Sequence, residues 1–459
     1  MLDQAKAESL FKTIKSFASV PEVEVIFYST NSSLTRFANN TIHQNVSEIN
    51  EVASIRVAFD GKTARATTNR FDADSLKRAV QSAESIARVQ EPDPERLPLV
   101  KPEEAGKGED PARRFESTAA ITPADRAEGV GKIVGIAKKH GLTTAGIYSS
   151  SQTAEALINS NGVSAFHRQT TAEVSITMLD HDSSGWQKAN SPDVSNLDPR
   201  RLAEIAAEKA LNSQNPDELT PGKYTVVLEP AAVLDLVGFM FWDFGGLAIL
   251  DQRSFLNNRI GTKLFGDNIT IVDDVCHPLQ SGAAFDGEGV RRQRVNLVEN
   301  GVIKNLVYAR GTAEKMRKSE YAGKVGTIAP TGHGFPLPNE IGEAPTNIVF
   351  LTPGGEQTVE QMVAGTERGV LITRLWYIRE VDPYEKILTG MTRDGTFVIE
   401  NGKVKKGIRN FRFNQSLIEL LTNVEAMGKS VRSSGEEAFD MVVPAMKVNG
   451  FNFTEVTKF

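Results

Sequence analysis

The 459-residue chain is poor in the residues that build covalent or metal-held scaffolds. Its single cysteine, Cys276, has no second thiol to pair with, which excludes an internal disulfide. The six histidines, at positions 43, 140, 167, 181, 277 and 333, include no two at a spacing that sets both on one helix face. A helix-borne zinc hydrolase site needs two imidazoles about one turn apart and a glutamate beside the first, so that site type is excluded. A Gly-x-Ser-x-Gly elbow is also missing, which leaves a serine hydrolase without support. No apolar run approaches the roughly 20 residues that cross a bilayer. The start, Met1-Leu-Asp-Gln-Ala-Lys6, lacks the basic-then-apolar pattern of a secretion signal, and a soluble cytoplasmic protein is expected. With a net charge of −6 and few clustered cations, neither a nucleic acid nor a membrane is expected as a partner. The basic runs Arg291-Arg292-Gln293-Arg294 and Lys403-Val404-Lys405-Lys406 read as solvated strand faces.

What the chain does contain is alternating helical and strand periodicity. Leu2, Leu10, Phe11, Ile14 and Phe17 fall on one face of a helix over residues 2–18, and residues 23–28 read as a strand after Pro21. Residues 52–59 and 62–68 alternate about Asp60-Gly61, a pair suited to the positive φ angles of a tight hairpin. Leu76, Ala79, Val80, Ala83 and Ile86 predict a helix over 73–89, and the prolines and charges from Glu91 to Arg114 read as a surface crossing. A second unit starts near Ile121, with a helix to His140-Gly141, a hairpin about Asn161-Gly162, another strand over 172–178 and a closing helix over 199–211. Past the polar stretch 212–222, strands dominate, including two hairpins built on Glu299-Asn-Gly301 and Glu400-Asn-Gly402. The predicted class is α+β: N-terminal α/β units with hairpins over 1–115 and 116–220, then a β-rich C-terminal domain over 221–459.

Two further patterns suggest chemistry and are weighed against plainer readings. Asp273-Asp274-Val275-Cys276-His277 gathers metal-capable side chains, and His333 in Thr331-Gly-His-Gly334 could join them. Zinc wants three or four convergent ligands, however, and neighbours along a strand point apart, so no metal is expected here. The run from Asn423 to Gly428-Lys429-Ser430 ends like a phosphate-binding loop, but lacks the first glycine and follows helical residues 416–424, so it reads as a helix C-cap.

Five runs taken in order resemble the TldD/PmbA family: Arg36-Phe-Ala-Asn-Asn-Thr-Ile-His-Gln-Asn-Val-Ser-Glu48, Arg259-Ile-Gly261, Phe285-Asp-Gly-Glu-Gly-Val-Arg-Arg-Gln293, Leu297-Val-Glu-Asn-Gly-Val-Ile-Lys304 and Pro444-Ala-Met-Lys-Val448. The likeness covers nearly the whole chain. That family contains TldD-type chains, with a His-Glu-x-x-x-His helix and a late cysteine as zinc ligands, and TldE (PmbA)-type partners without them. This chain resembles the second kind. The stretch from Tyr224 to Gly261 keeps the layout of a strand followed by an apolar helix. Counting back without gaps from Arg259, the family's His, Glu and His fall at about Val237, Gly238 and Trp242, and no cysteine occurs between Ser430 and Asp440.

The resemblance therefore implies a degenerate metalloprotease-like domain with no catalytic or metal residue and no cofactor of its own. Zinc is expected in a TldD-like zinc protease partner, within a cytoplasmic heterodimer that degrades unfolded peptides or processes modified peptide precursors. Such peptides would bind by adding a strand to an exposed sheet edge. The alternative is a stand-alone homodimeric peptide-binding module without proteolysis. Substrate contacts are expected at Arg259 and His333, and Trp242 is expected to fill the space that a metal and its water would occupy.

Overall fold

In the computed structural model, which describes residues 1–108, 110–352 and 354–457, the first two units share one sheet. Its strands are Glu22–Ala38 (β1), Thr41–Phe59 (β2), Lys62–Thr68 (β3), Thr143–Asn159 (β4), Ser164–Leu179 (β5) and Ser184–Ser191 (β6), all antiparallel, in the order β3-β2-β1-β4-β5-β6. Side chains alternate across a strand, and this decides what covers each face. On one face Val23, Val25, Phe27, Ala53, Ile55, Ala154 and Ala156 meet the helices Gln4–Phe17 and Ala73–Val89. Farther along it, Phe37, Tyr148, Val174, Ile176 and Met178 meet the helices Pro123–Lys139 and Pro199–Asn212. The opposite face sets Ile26 and Leu157 against Val100, Phe285 and Val290. The register that places Ala154 and Ala156 under the helices thus turns Glu155 and Leu157 toward the C-terminal unit. The helices start where side-chain caps occur: Asp3 accepts from the Lys6 N–H, Asp72 from Ser75, and Thr122 and Asp125 form a reciprocal capping box.

The C-terminal unit continues with Gly222–Leu228 (β7), Thr270–Asp273 (β8), Val295–Glu299 (β9), Val302–Ile303 (β10), Ile348–Leu351 (β11), Arg368–Asp382 (β12), Ile387–Glu400 (β13), Lys403–Gly407 (β14), Phe411–Ser416 (β15), Val424–Met427 (β16), Val431–Ser433 (β17), Met441–Val443 (β18) and Met446–Val456 (β19). One sheet has the order β10-β9-β8-β11-β18-β17. The other runs β12-β7-β19-β15-β13, and β13 pairs back to β12, so these strands close a barrel. Closure removes their free edges. Inside it Phe411 stacks on Phe453 with ring centroids 4.5 Å apart, and Phe413 tilts against Phe451 at 5.4 Å. Between β7 and β8 the chain forms the helix Pro230–Val237, a 3-10 segment Gly238–Phe244 and the short helix Gly246–Leu250.

Several expectations are revised. The division at 115/116 does not separate two sheets, because β1 pairs with β4 from Glu24 to Phe37, whereas 220/221 falls just ahead of β7. The strand expected over 172–178 is the second half of β5, since no turn residue interrupts that run. The helix expected through 424 ends at Thr422, and Gly428 follows β16 rather than capping a helix. Cys276 and His277 lie in a turn after β8, not in a strand. Arg291 and Arg292 are half-buried in irregular chain, while Lys403 to Lys405 are exposed on β14.

Three of the Asn-Gly or Asp-Gly hairpin turns hold both residues at positive φ, at Asp60-Gly61, Asn300-Gly301 and Asn401-Gly402, whereas at Asn161-Gly162 only the glycine does. At Gly301 a β-carbon would also lie 2.2 Å from the Phe265 carbonyl oxygen, whereas at Gly450, with φ +77°, it would meet nothing within 4 Å. Gly301→Ala is expected to cost about 2–4 kcal/mol and Gly450→Ala about 1 kcal/mol. Thermal unfolding followed by circular dichroism measures the difference.

Candidate substrate groove

The helix Pro230–Val237 packs apolar side chains on nearly every face, and its 3-10 continuation carries Trp242 to the surface. There the indole is 52% exposed and stacks on Phe335 with centroids 5.9 Å apart. Trp242 and Phe439 line two cavities at once. One, of about 600 Å³, is bounded by Gly238, Phe239, Asp243, Lys386, Glu380 and Glu437. The other, of about 570 Å³, is bounded by Glu155, Phe285, Asp286, Arg292, Phe335 and Asn347. Trp242 therefore does not plug the site, and the expectation that it fills a metal-sized space is corrected.

In the first cavity Lys386 is buried between Asp243 and Glu380, each 2.6 Å from its Nζ. Below it lies Asp235, wholly enclosed, whose Oδ1 accepts the backbone N–H groups of Glu436 and Glu437 at 3.1 and 3.0 Å. Among the described residues its Oδ2 has no hydrogen-bond partner. Burial pushes this carboxyl up to about 7, against the two N–H bonds that favour its charge.

The second cavity is walled by irregular segments held by buried carboxylates. Asp273 accepts from Thr346 and Asn347 N–H at 2.8 and 2.7 Å and from His333 Nε2 at 3.0 Å. Burial raises Asp273, but the facing His333 and these bonds outweigh it and hold it below the ordinary range. Asp286 accepts from Gly334, Glu288 and Val290 N–H. Glu288 is pushed up to about 7 by burial first and by the Asp286 carboxylate second. Glu343 accepts from Leu247 and Ala309 N–H and from the Thr312 hydroxyl. On the cavity wall, Arg292 Nη1 donates to Thr346 Oγ1 at 3.0 Å. Glu155 faces the same space, and burial raises its carboxyl above the usual range despite the pull of Arg292.

The two expected substrate contacts are not brought together. His333 lies behind the second cavity with a side chain that is 0% exposed, bonded through Nδ1 to Thr331 Oγ1 at 3.0 Å, so it has no surface to offer a substrate. Arg259 lies elsewhere, donating to the Tyr384 carbonyl oxygen at 2.9 Å and to Glu385 at 2.8 Å, with its guanidinium 3.9 Å from the Tyr384 ring centre. It braces the turn between β12 and β13. Asp273 and His333 do meet, but Cys276 is exposed in its turn, and among the described residues no three His, Cys, Asp or Glu side chains form a group able to hold a metal. Glu155, Asp235, Asp286, Glu288 and Arg292 were not anticipated as groove residues. A lone acid within the apolar alternation Ala154-Glu-Ala156 was the available signal for Glu155.

Residues 23–87 match the PmbA/TldA metallopeptidase domain 1, residues 105–214 its central domain and residues 221–455 its C-terminal domain. The chain belongs to the PmbA/TldD family. Relatives of this PmbA/TldD chain include the metalloprotease PmbA of Escherichia coli O157:H7, 21% identical over 86% of this chain and 85% of that one. An uncharacterised protein of Methanocaldococcus jannaschii is 27% identical over 62% of this chain and 67% of its own. Among solved structures, TldE from Thermococcus kodakarensis superposes with a TM-score of 0.84 at 20% identity, covering 98% of this chain and 100% of that chain. A proposed modulator of a DNA gyrase from Thermotoga maritima gives 0.81 at 22% identity, covering 98% and 99%. These likenesses establish a shared fold.

Metallopeptidase membership implies zinc, and the residues at the expected positions do not fit it. Val237 is 0% exposed in the core, and Trp242 offers only an indole N–H donor. Gly238 has no side chain, and a β-carbon there would lie 2.3 Å from the Ala438 β-carbon.

Asp235 gives this region a pH signature. The folded state keeps its proton up to about 7, whereas an ordinary aspartate releases it at 3.8, so the folded state binds the extra proton between those values. Its stabilising contribution is full below 3.8 and is lost as pH rises to about 7. Asp235→Asn keeps the acceptor for the two N–H groups and does not titrate. Across that window the wild type is expected to lose about 1–3 kcal/mol relative to the variant. Urea unfolding at stepped pH reads this, and a constant difference would contradict it.

Proposed function

We propose that this chain is the TldE-type, non-catalytic subunit of a cytoplasmic zinc-protease heterodimer. It forms one wall of the groove that holds an unfolded peptide or modified peptide precursor while a TldD-like partner cuts it. The observation that carries this reading is an open groove beside positions that cannot ligate zinc: Val237 in the core, Gly238 packed on Ala438, and Trp242 between two cavities. The relatives described as metalloproteases and the TldE fold of the Thermococcus protein support it. Strand addition also has a free edge available. β2 pairs with β3 only from Ala53 onward, so among the described residues Thr41 to Asn50 have β1 on one side and no strand on the other.

The test is reconstitution with a sister chain that carries the His-Glu-x-x-x-His motif, using dye-labelled unfolded casein as substrate. This chain alone is expected to be inactive, and the mixture to cleave in a chelator-sensitive manner. Chelator-sensitive cleavage by this chain alone, or full activity of the sister without it, contradicts the reading. Casein binding by a homodimer that ignores the sister would replace it with a stand-alone peptide-binding module.

A further inference from the structure

We propose that the cavity between the first sheet and the C-terminal unit takes the free C-terminal carboxylate of a peptide, with Arg292 as anion anchor and Glu155 as acceptor for the adjoining backbone N–H. This deepens the groove reading and rests on it for the choice of a peptide as occupant.

Arg292 sits within electrostatic reach of the Asp273, Asp286 and Glu155 carboxylates. Two of these are already satisfied. Asp273 is filled by His333 and the Thr346 and Asn347 N–H groups, and Asp286 by the N–H groups of Gly334, Glu288 and Val290. Glu155 is different, since among the described residues its side chain makes no hydrogen bond or ion pair, and its cross-strand neighbour His167 leaves Nε2 unpartnered as well. Among the described residues Arg292 uses one side-chain donor, to Thr346, and its backbone N–H goes to the Ala284 carbonyl oxygen. A guanidinium carries five N–H donors, so most of its fork is left for something else. The result is a cation and an anion that face the same cavity without closing on each other.

A ligand that completes this arrangement must present an anion to Arg292 and, close by, a donor to Glu155. The last residue of a peptide does both, because its carboxylate and its own amide N–H are separated by one α-carbon. The planar guanidinium matches a carboxylate through two parallel hydrogen bonds. A doubly charged anion such as phosphate fits less well, since Glu155, Asp273 and Asp286 surround the anchor. Phe285, Phe335, Trp242 and Phe439 make one part of the remaining wall apolar and suit a hydrophobic terminal side chain, while Gln280, Ser281, Asn347 and Asp440 make the rest polar. The sheet supplies Glu155 and the C-terminal unit supplies Arg292, so the subsite exists only where the two are docked.

The test uses the full chain alone, with alanyl-alanyl-phenylalanine and the same tripeptide ending in an amide, followed by calorimetry and by tryptophan fluorescence, to which Trp242 on the cavity wall contributes. The free acid is expected to bind about tenfold or more tightly than the amide. Arg292→Gln is expected to erase that preference and Arg292→Lys to retain part of it, with thermal unfolding checking that both variants fold. Equal affinity for acid and amide, binding of neither, or an unchanged preference in Arg292→Gln overturns the proposal. The acid–amide comparison on the unaltered chain decides the matter even if a variant fails to fold. Because it needs no partner, its failure is distinguishable from a failed reconstitution.

Discussion

The groove depends on carboxylates that are buried to satisfy backbone rather than to react. Leu247 and Ala309-Arg310 stand at the first turns of the helices Gly246–Leu250 and Arg310–Lys318, and the segments around 288–290, 334 and 346–347 are irregular, so the N–H groups of all of them need partners from outside helix or ladder. Asp273, Asp286, Glu288 and Glu343 accept from Leu247, Glu288, Val290, Ala309, Arg310, Gly334, Thr346 and Asn347. An enclosed N–H left unpaired costs about 1–3 kcal/mol, and bonds to a charged acceptor are the stronger kind. His333 completes this frame by fixing Asp273 to Thr331. Its role is to hold the cavity wall in shape.

The same logic joins the units. Among the described residues a small apolar cluster lies between the sheet and the C-terminal unit, and arginines add to it by capping carbonyls across the seam. Arg65 donates to the Leu337 oxygen at 2.7 Å, Arg310 to the Pro98 oxygen at 2.9 Å, and Arg113 to the Val275 oxygen. Arg113 is drawn down to about 10 by burial and so remains charged at neutral pH. Charged groups at such a seam fix orientation strongly and resist sliding, which suits a cavity with walls from both sides.

Much of the local structure was legible in the sequence because local chemistry determines it. Asp60-Gly61 and the two Asn-Gly pairs specify tight turns, and the caps at Asp72 and Thr122 set helix starts. The closed barrel was not legible, since the pairing of β7 with both β12 and β19 joins strands far apart in sequence. The groove was half legible. The run Phe285 to Gln293 stood out by resemblance and does line the second cavity, but Arg292 within it reads as one more surface cation until Thr346 and Glu155 are placed around it. His333 and Arg259 were singled out by residue type, and burial and a neighbouring turn respectively use them structurally.

In the reading proposed above, this chain shapes a protease groove without holding the metal. The most direct test of that claim is the zinc content of the chain purified alone and dialysed against zinc-free buffer. A built zinc site binds by roughly 10 kcal/mol or more and survives dialysis, so less than about a tenth of an equivalent is expected here. Close to one equivalent would contradict the claim and point to ligands outside the positions 237, 238 and 242.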